Sequence, residues 1–160
     1  MQDSLQAISG SRTLHRLIYA SRQAFGPEQD ADDEIDALIR ASIRNNRSAS
    51  ITGLLLVHAG WFVQALEGPA EAVMTTYRRI VDDPRHAEAK IIFAGPAQDG
   101  RAFGDWNMCA RRFSAADDAI LDTLGQRIAF DPAGLSERSA LRLLKAVRGI
   151  KERTQLSALG

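Results

Sequence analysis

At 160 residues the chain has the length of one ordinary domain. Its 20 basic and 20 acidic side chains cancel, which removes the positive excess that a global hold on nucleic acid needs. With 45% hydrophobic and 25% charged residues the composition is that of a globular chain and excludes a disordered one.

The one cysteine, Cys109, rules out an internal disulfide and cannot by itself build a zinc site. His15, His58 and His86 are scattered, with no HExxH spacing to hold a metal. No apolar run approaches the roughly 20 residues that span a bilayer, and Met1-Gln2-Asp3-Ser4-Leu5 lacks the basic flank and apolar stretch of a secretion signal. The expectation is a cytoplasmic protein that engages neither membrane nor nucleic acid.

Residues 1–13 are mixed and polar and read as an N-terminal arm, with a short helix around Leu5. Leu14–Ala20 is short and apolar, a strand closed by the loop Ser21–Pro27. Asp30–Asn46 is the clearest helix. Acidic residues crowd its start, where they suit the exposed N–H groups, and Ile35, Leu38, Ile39 and Ile43 fall on one stripe. Continued, that stripe meets Ser42 and Asn46, so the buried face carries polar side chains at its C-terminal end.

Ile51–His58 and Trp61–Leu66 are apolar on both faces and separated by Ala59-Gly60, a tight hairpin between strands covered on both sides. Gly68-Pro69 opens a second helix with proline in its first turn; its stripe is Val73, Tyr77, Ile80 and Val81, and Asp83-Pro84 stops it. Lys90–Ala94 and Trp106–Ala110 read as two further strands. Two later stripes, Ile120, Leu124, Ile128 and Ala140, Leu143, Leu144, Val147, Ile150, are amphipathic helices. The predicted fold is α+β: a ferredoxin-like β-α-β-β-α-β-β sandwich, with a five-stranded mixed sheet, two helices on one face and the C-terminal helices on the other.

Polar residues at apolar positions carry the functional signal. Gln64 shares a strand face with Phe62 and Leu66, and a buried amide needs a partner, either backbone, an ordered water or a ligand. Tyr19 shares the face of His15 and Leu17 on the first strand and needs an acceptor for its hydroxyl. Asn46 reads either as a helix C-cap or as an inward amide, and Ser42 faces inward in either case. Arg85-His86 is a phosphate contact or a helix-end counter-charge. Trp106 and Met108 share a face of the last strand, and Glu67 is a general-base candidate without a placed partner.

These stretches resemble the BLUF family of flavin-binding blue-light sensors. The resemblance rests on LIYAS with Tyr19, SIRNNRSASITG with Asn46, WFVQALEG with Gln64, DDPRH with Arg85-His86 and RAFGDWNM with Trp106 and Met108, in that order. It covers Leu14 to Phe113, which makes 14–113 the flavin-binding domain and 114–160 a C-terminal helical extension. About 13 residues precede the first strand, more than is usual in the family, and position 107 is Asn where a smaller residue is common.

The resemblance implies FAD, with FMN and riboflavin as alternatives, held non-covalently between the Ile35, Leu38, Ile39 stripe and the second helix. It implies that Asn46 bonds the pyrimidine edge of the ring, that Gln64 bridges flavin and Tyr19, and that Arg85 and His86 lie near the ribityl and phosphate end. Ser42, Trp106 and Met108 form the switching shell. Light then moves an electron and a proton from Tyr19, and Gln64 rearranges. The expected role is signal transduction by a stand-alone, non-enzymatic photoreceptor acting on a protein partner or through a homo-oligomer. From Ser136 onward there are six basic residues against two acidic ones, which reads either as a solvated helix face or as a surface for docking an acidic partner or for self-association. The rival readings are a chromophore-free regulatory or assembly module and a flavin-dependent oxidoreductase.

Overall fold

A computed structural model describes residues 13–25, 30–104, 109–112, 118–126 and 130–150. The elements run β1 (Leu14–Gln23), α1 (Ala31–Ser48), β2 (Thr52–His58), β3 (Trp61–Pro69), α2 (Ala70–Asp82), β4 (His86–Pro96), β5 (Cys109–Arg112), α3 (Asp118–Thr123), a 3₁₀ turn at Pro132–Gly134, and α4 (Glu137–Ile150). The sheet order is β4-β1-β3-β2-β5. Its body is four antiparallel strands, β4-β1-β3-β2, and the four-residue β5 adds in parallel to the β2 edge. Of the last predicted strand, Cys109 and Ala110 are in β5, which runs on to Arg112. Trp106 and Met108 fall outside the described residues, as do the N-terminal arm through Arg12 and Ile128.

α1 starts as its sequence dictates. Asp30 is the N-cap, its carboxylate accepting from the N–H groups of Asp32 and Asp33 at 2.9 and 3.2 Å. The helix passes Asn46 and ends at Ser48, so Asn46 is helical and Ala49 is the cap. Its inner face brings Ile35, Leu38 and Ile39 onto Leu17, Tyr19, Leu55, Phe62 and Leu66 of the sheet, and Val73 of α2 completes that layer. Pro69 proves to be the last residue of β3 and the N-cap of α2, one place before the predicted first turn. Val81, predicted on the α2 stripe, is 45% exposed. Thr76 is buried instead, because it lies one turn from Val73 on the inward line.

The opposite sheet face presents Ile18, Ala20, Leu54, Leu56, Val63 and Ala65, which pack on Phe103 and on Ala140, Leu143, Leu144 and Val147 of α4. In α3 Leu121 is buried, with Leu124 partly buried in the turn that follows. The α3 helix is thus shorter than the Ile120–Ile128 stripe predicts. Burying alternate side chains on both faces explains why β2 and β3 read as unbroken apolar runs.

Candidate functional site

Tyr19 and Gln64 are direct cross-strand partners in the β1–β3 register. Both point to the face covered by α1 and α2, and the Tyr19 hydroxyl donates a hydrogen bond to Gln64 Oε1. Tyr19 is wholly buried and Gln64 is 3% exposed. Burial raises the Tyr19 pKa well above the ordinary phenol value, with Tyr77 and Asp83 adding to the effect. The group is a neutral phenol with its proton committed to the amide. The Tyr77 ring leans against it at 5.4 Å.

His86 begins β4 and stands beside this pair, its ring 6.1 Å from Tyr19 and 4.6 Å from Phe62. Its Nδ1 lies 2.8 Å from Ser21 Oγ. Ser21 follows Tyr19 by two positions and so shares its face. Burial lowers the His86 pKa to about 4, against a smaller upward pull from Asp83, which keeps the imidazole neutral near pH 7. Arg85 is bound to its own loop: its guanidinium meets the Asp83 carboxylate at 2.6 Å. That hydrogen bond is the main reason the Asp83 pKa is lowered and the Arg85 pKa raised.

Above the pair a cleft of about 130 Å³ separates α1 from α2. Leu38, Ser42 and Asn46 line it from α1, Thr76 and Ile80 from α2, Gln64 from β3 and His86 from β4. Asn46 is 2% exposed and Ser42 half-buried. Ile35 and Ile39 are buried in the apolar layer beside the cleft and do not line it. Tyr19 lies behind Gln64. A shallower groove continues outward past Glu34, Arg79, Asp82 and Arg85. Carboxamides from two segments and a neutral imidazole, set among aliphatic walls, suit the edge of a flat heteroaromatic ring with alternating donors and acceptors. The residues present therefore fit a flavin. Among the described residues no group of three or more His, Cys, Asp or Glu could hold a metal, and no helix is long and apolar enough to cross a membrane.

Tyr19, Gln64, Asn46, Ser42, Leu38, Arg85 and His86 are thus brought to one place. Asn45, Thr76, Arg79 and Asp83 also line the cleft, and Ser21 supports His86, none of which the sequence reading singled out. The signal for Thr76 is present in the sequence, one turn beyond Val73 on a helix; Ser21 reads there as the start of a loop, and only the extension of β1 to Gln23 puts it on the face of Tyr19.

Known proteins share this fold and part of this sequence. The structure of BlrB, described as a BLUF protein in its dark state, superposes with a TM-score of 0.70 at 31% identity, covering 85% of this chain and 98% of that one. The photo-activated state of BlsA gives a TM-score of 0.79 over 89% of this chain and 99% of that one, at 24% identity, a likeness of fold. In sequence, the chain is 40% identical over 100 residues to the photoactivated adenylate cyclase subunit beta of Euglena gracilis. It is 42% identical over 73 residues to the blue light- and temperature-regulated antirepressor BluF of Escherichia coli. Those matches take in 62% and 46% of this chain but only 11% and 17% of the relatives' length. The family model "BLUF: Sensors of blue-light using FAD" matches residues 14–109, and the chain belongs to the BLUF family of flavin-binding blue-light sensors.

Proposed function

We propose that this chain binds FAD non-covalently in the cleft between α1 and α2 and converts blue light into a rearrangement of the Tyr19–Gln64 pair. The observation that carries the reading is the buried hydrogen bond from the Tyr19 hydroxyl to Gln64 Oε1 on the cleft floor. A bound flavin supplies the blue absorption and, once excited, the oxidising power to draw an electron from a phenol.

Tyr19 is the electron donor. Its Oη proton already points along a hydrogen bond to the Gln64 amide, so charge and proton leave together and no unpaired charge is stranded in the interior. Both return to Tyr19. The Gln64 amide is left rotated or tautomerised, exchanging donor for acceptor toward the ring. The protein undergoes no net oxidation, and an amide donor turned toward the ring edge would move the absorption of a bound flavin slightly to the red. Asn46 would hold the pyrimidine edge, Leu38 would pack the ring, with Ile35 and Ile39 behind it, and His86 would lie toward the ribityl end. Arg85, tied to Asp83, shapes the outer end of the cleft. Ser42 lines the cleft with Gln64, and the family resemblance adds Trp106 and Met108, which lie outside the described residues, to the switching shell. The output is a contact with a protein partner or a second copy, as the cyclase and antirepressor names of the relatives support.

The test is spectroscopic. Purified protein should be yellow, shift to the red under blue light and recover in the dark. Gln64→Leu should keep the flavin and lose the shift. A normal photocycle in Gln64→Leu would refute the assignment; colourless protein would favour the chromophore-free module. Light-independent consumption of a nicotinamide reductant would favour an oxidoreductase.

A further inference from the structure

Glu67 belongs neither to the Tyr19–Gln64 pair nor to the cleft, yet its side chain is completely buried. It follows Gln64 by three positions on β3, so strand alternation turns it to the other face of the sheet. Both carboxylate oxygens are used there. Oε2 accepts from Arg16 Nε at 2.9 Å and from the Ala102 N–H at 2.8 Å, while Oε1 accepts from the Phe103 N–H at 2.9 Å. Arg16 is 3% exposed and stands opposite Glu67 in the β1–β3 register. It reaches on to the Gly100 carbonyl at 2.9 Å and lies 3.6 Å from Asp99.

Arg101 ties in a third segment. Its guanidinium donates to Thr52 Oγ1 at 2.7 Å, to the Glu67 carbonyl at 3.0 Å and to the Ser50 carbonyl at 3.1 Å. Gly68 permits the approach, since a Cβ there would lie 2.8 Å from Ile51 Cδ1 and 2.9 Å from the Ser50 oxygen. Three pieces of backbone therefore meet at Glu67: the strand that carries Gln64, the turn that follows Asn46, and the segment 99–103. That last segment leads along the chain toward Trp106 and Met108.

Two side-chain pairs thus bridge the same two strands, three residues apart and on opposite faces. Tyr19–Gln64 lies on the cleft face and Arg16–Glu67 on the α4 face. Any shift of β3 against β1 that accompanies rearrangement of Gln64 is felt at both. A carboxylate held by several buried donors does not follow such a shift gradually, because each donor left unpaired bears its full desolvation cost. The contact is made or broken.

We propose that Glu67 is a positioning residue of the light response: a latch that holds segment 99–103 to β3 in the dark and releases it in the lit state. The proposal rests on the photoreceptor reading above. If light opens the latch, the closed latch must favour the dark state by the same coupling free energy, since linkage is reciprocal.

Hydrogen exchange of the Ala102 and Phe103 amides, in the dark and under continuous blue light, tests this directly. Both should exchange about tenfold faster in the lit protein, within the usual range of allosteric coupling. In Glu67→Gln, whose amide cannot accept all three donors, the two amides should exchange in the dark at the lit rate. That variant should keep the red shift and recover several-fold more slowly, as the bias toward the dark state is lost. Arg101→Ala, a change at an exposed side chain, should slow recovery in the same direction. Equal protection in light and dark, in wild-type protein that still shifts to the red, overturns the latch even if Glu67→Gln does not fold. Recovery in both variants at the wild-type rate overturns it too. A wild-type protein with no red shift overturns the photoreceptor reading instead.

Discussion

His86 shows how far a single side chain is set by its surroundings. It stands at the start of an edge strand, yet it is 8% exposed, with Ser21 on one nitrogen and the rings of Tyr19 and Phe62 against it. Its folded pKa near 4 lies below the unfolded value of 6.5, so the unfolded chain binds more protons between those limits. The stability it contributes is therefore complete above pH 6.5 and is lost as pH falls toward 4. Integrated from pH 7.5 to 4, this one group should remove about 3 kcal/mol of unfolding free energy. Urea unfolding across that range should show the loss in wild-type protein, and His86→Gln should be less steep by that amount. An equal slope in both would mean that His86 titrates normally. Half-buried His58, lowered in the same direction by burial, is common to both proteins and cancels from the comparison.

Among the elements, the β2–β3 hairpin shows a sequence signal at odds with its geometry. Ala59 and Gly60 both have positive φ, 51° and 82°. That is the pattern of a type I′ turn, which suits the twist of the strands it joins. Glycine tolerates it and alanine does not, at about 1–2 kcal/mol for a left-handed L-residue. Asparagine is favoured at that position, so Ala59→Asn should raise stability by roughly 0.5–1 kcal/mol. The check is the denaturation midpoint, with the dark absorption spectrum unchanged because the turn lies away from the cleft. β4 is the converse case. It spans His86–Pro96, whereas only Lys90–Ala94 carries a strand pattern in the sequence. An edge strand needs an apolar face only where a layer covers it, and β1 holds the ends of β4, His86-Ala87 and Gly95-Pro96, by backbone pairing across a register shift at Glu88-Ala89.

At the scale of the whole molecule the sheet is a partition. One face holds the cleft and the Tyr19–Gln64 pair; the other holds Phe103, the Arg16–Glu67 pair and α4. Leu143 of α4 is fully buried on that second face and touches nothing of the cleft lining. Leu143→Ala should cost about 2–5 kcal/mol through lost burial and the cavity left behind. Thermal unfolding should report that loss while the red shift keeps its size; a diminished shift would show that the two faces are not separable in this way. The exposed side of α4 presents Arg138, Arg142 and Lys145 at helical spacing, which places part of the predicted basic surface outward.

The sequence alone determined the order of elements through β4, the two-faced burial of the sheet and the segments that carry Tyr19, Asn46 and Gln64. Those follow from local periodicity and from polar groups at apolar positions, both written along the chain. Tertiary structure alone decided that Tyr19 and Gln64 are opposite one another and that Leu38, not Ile35 or Ile39, reaches the cleft. It also turned Arg85 onto Asp83 and closed Glu67 into a network with Arg16, Ala102 and Phe103. Each of these depends on strand register or on which of two neighbours a charge meets first. Neither is fixed by spacing along the chain, because pairing free energy arises only when distant segments are brought into contact.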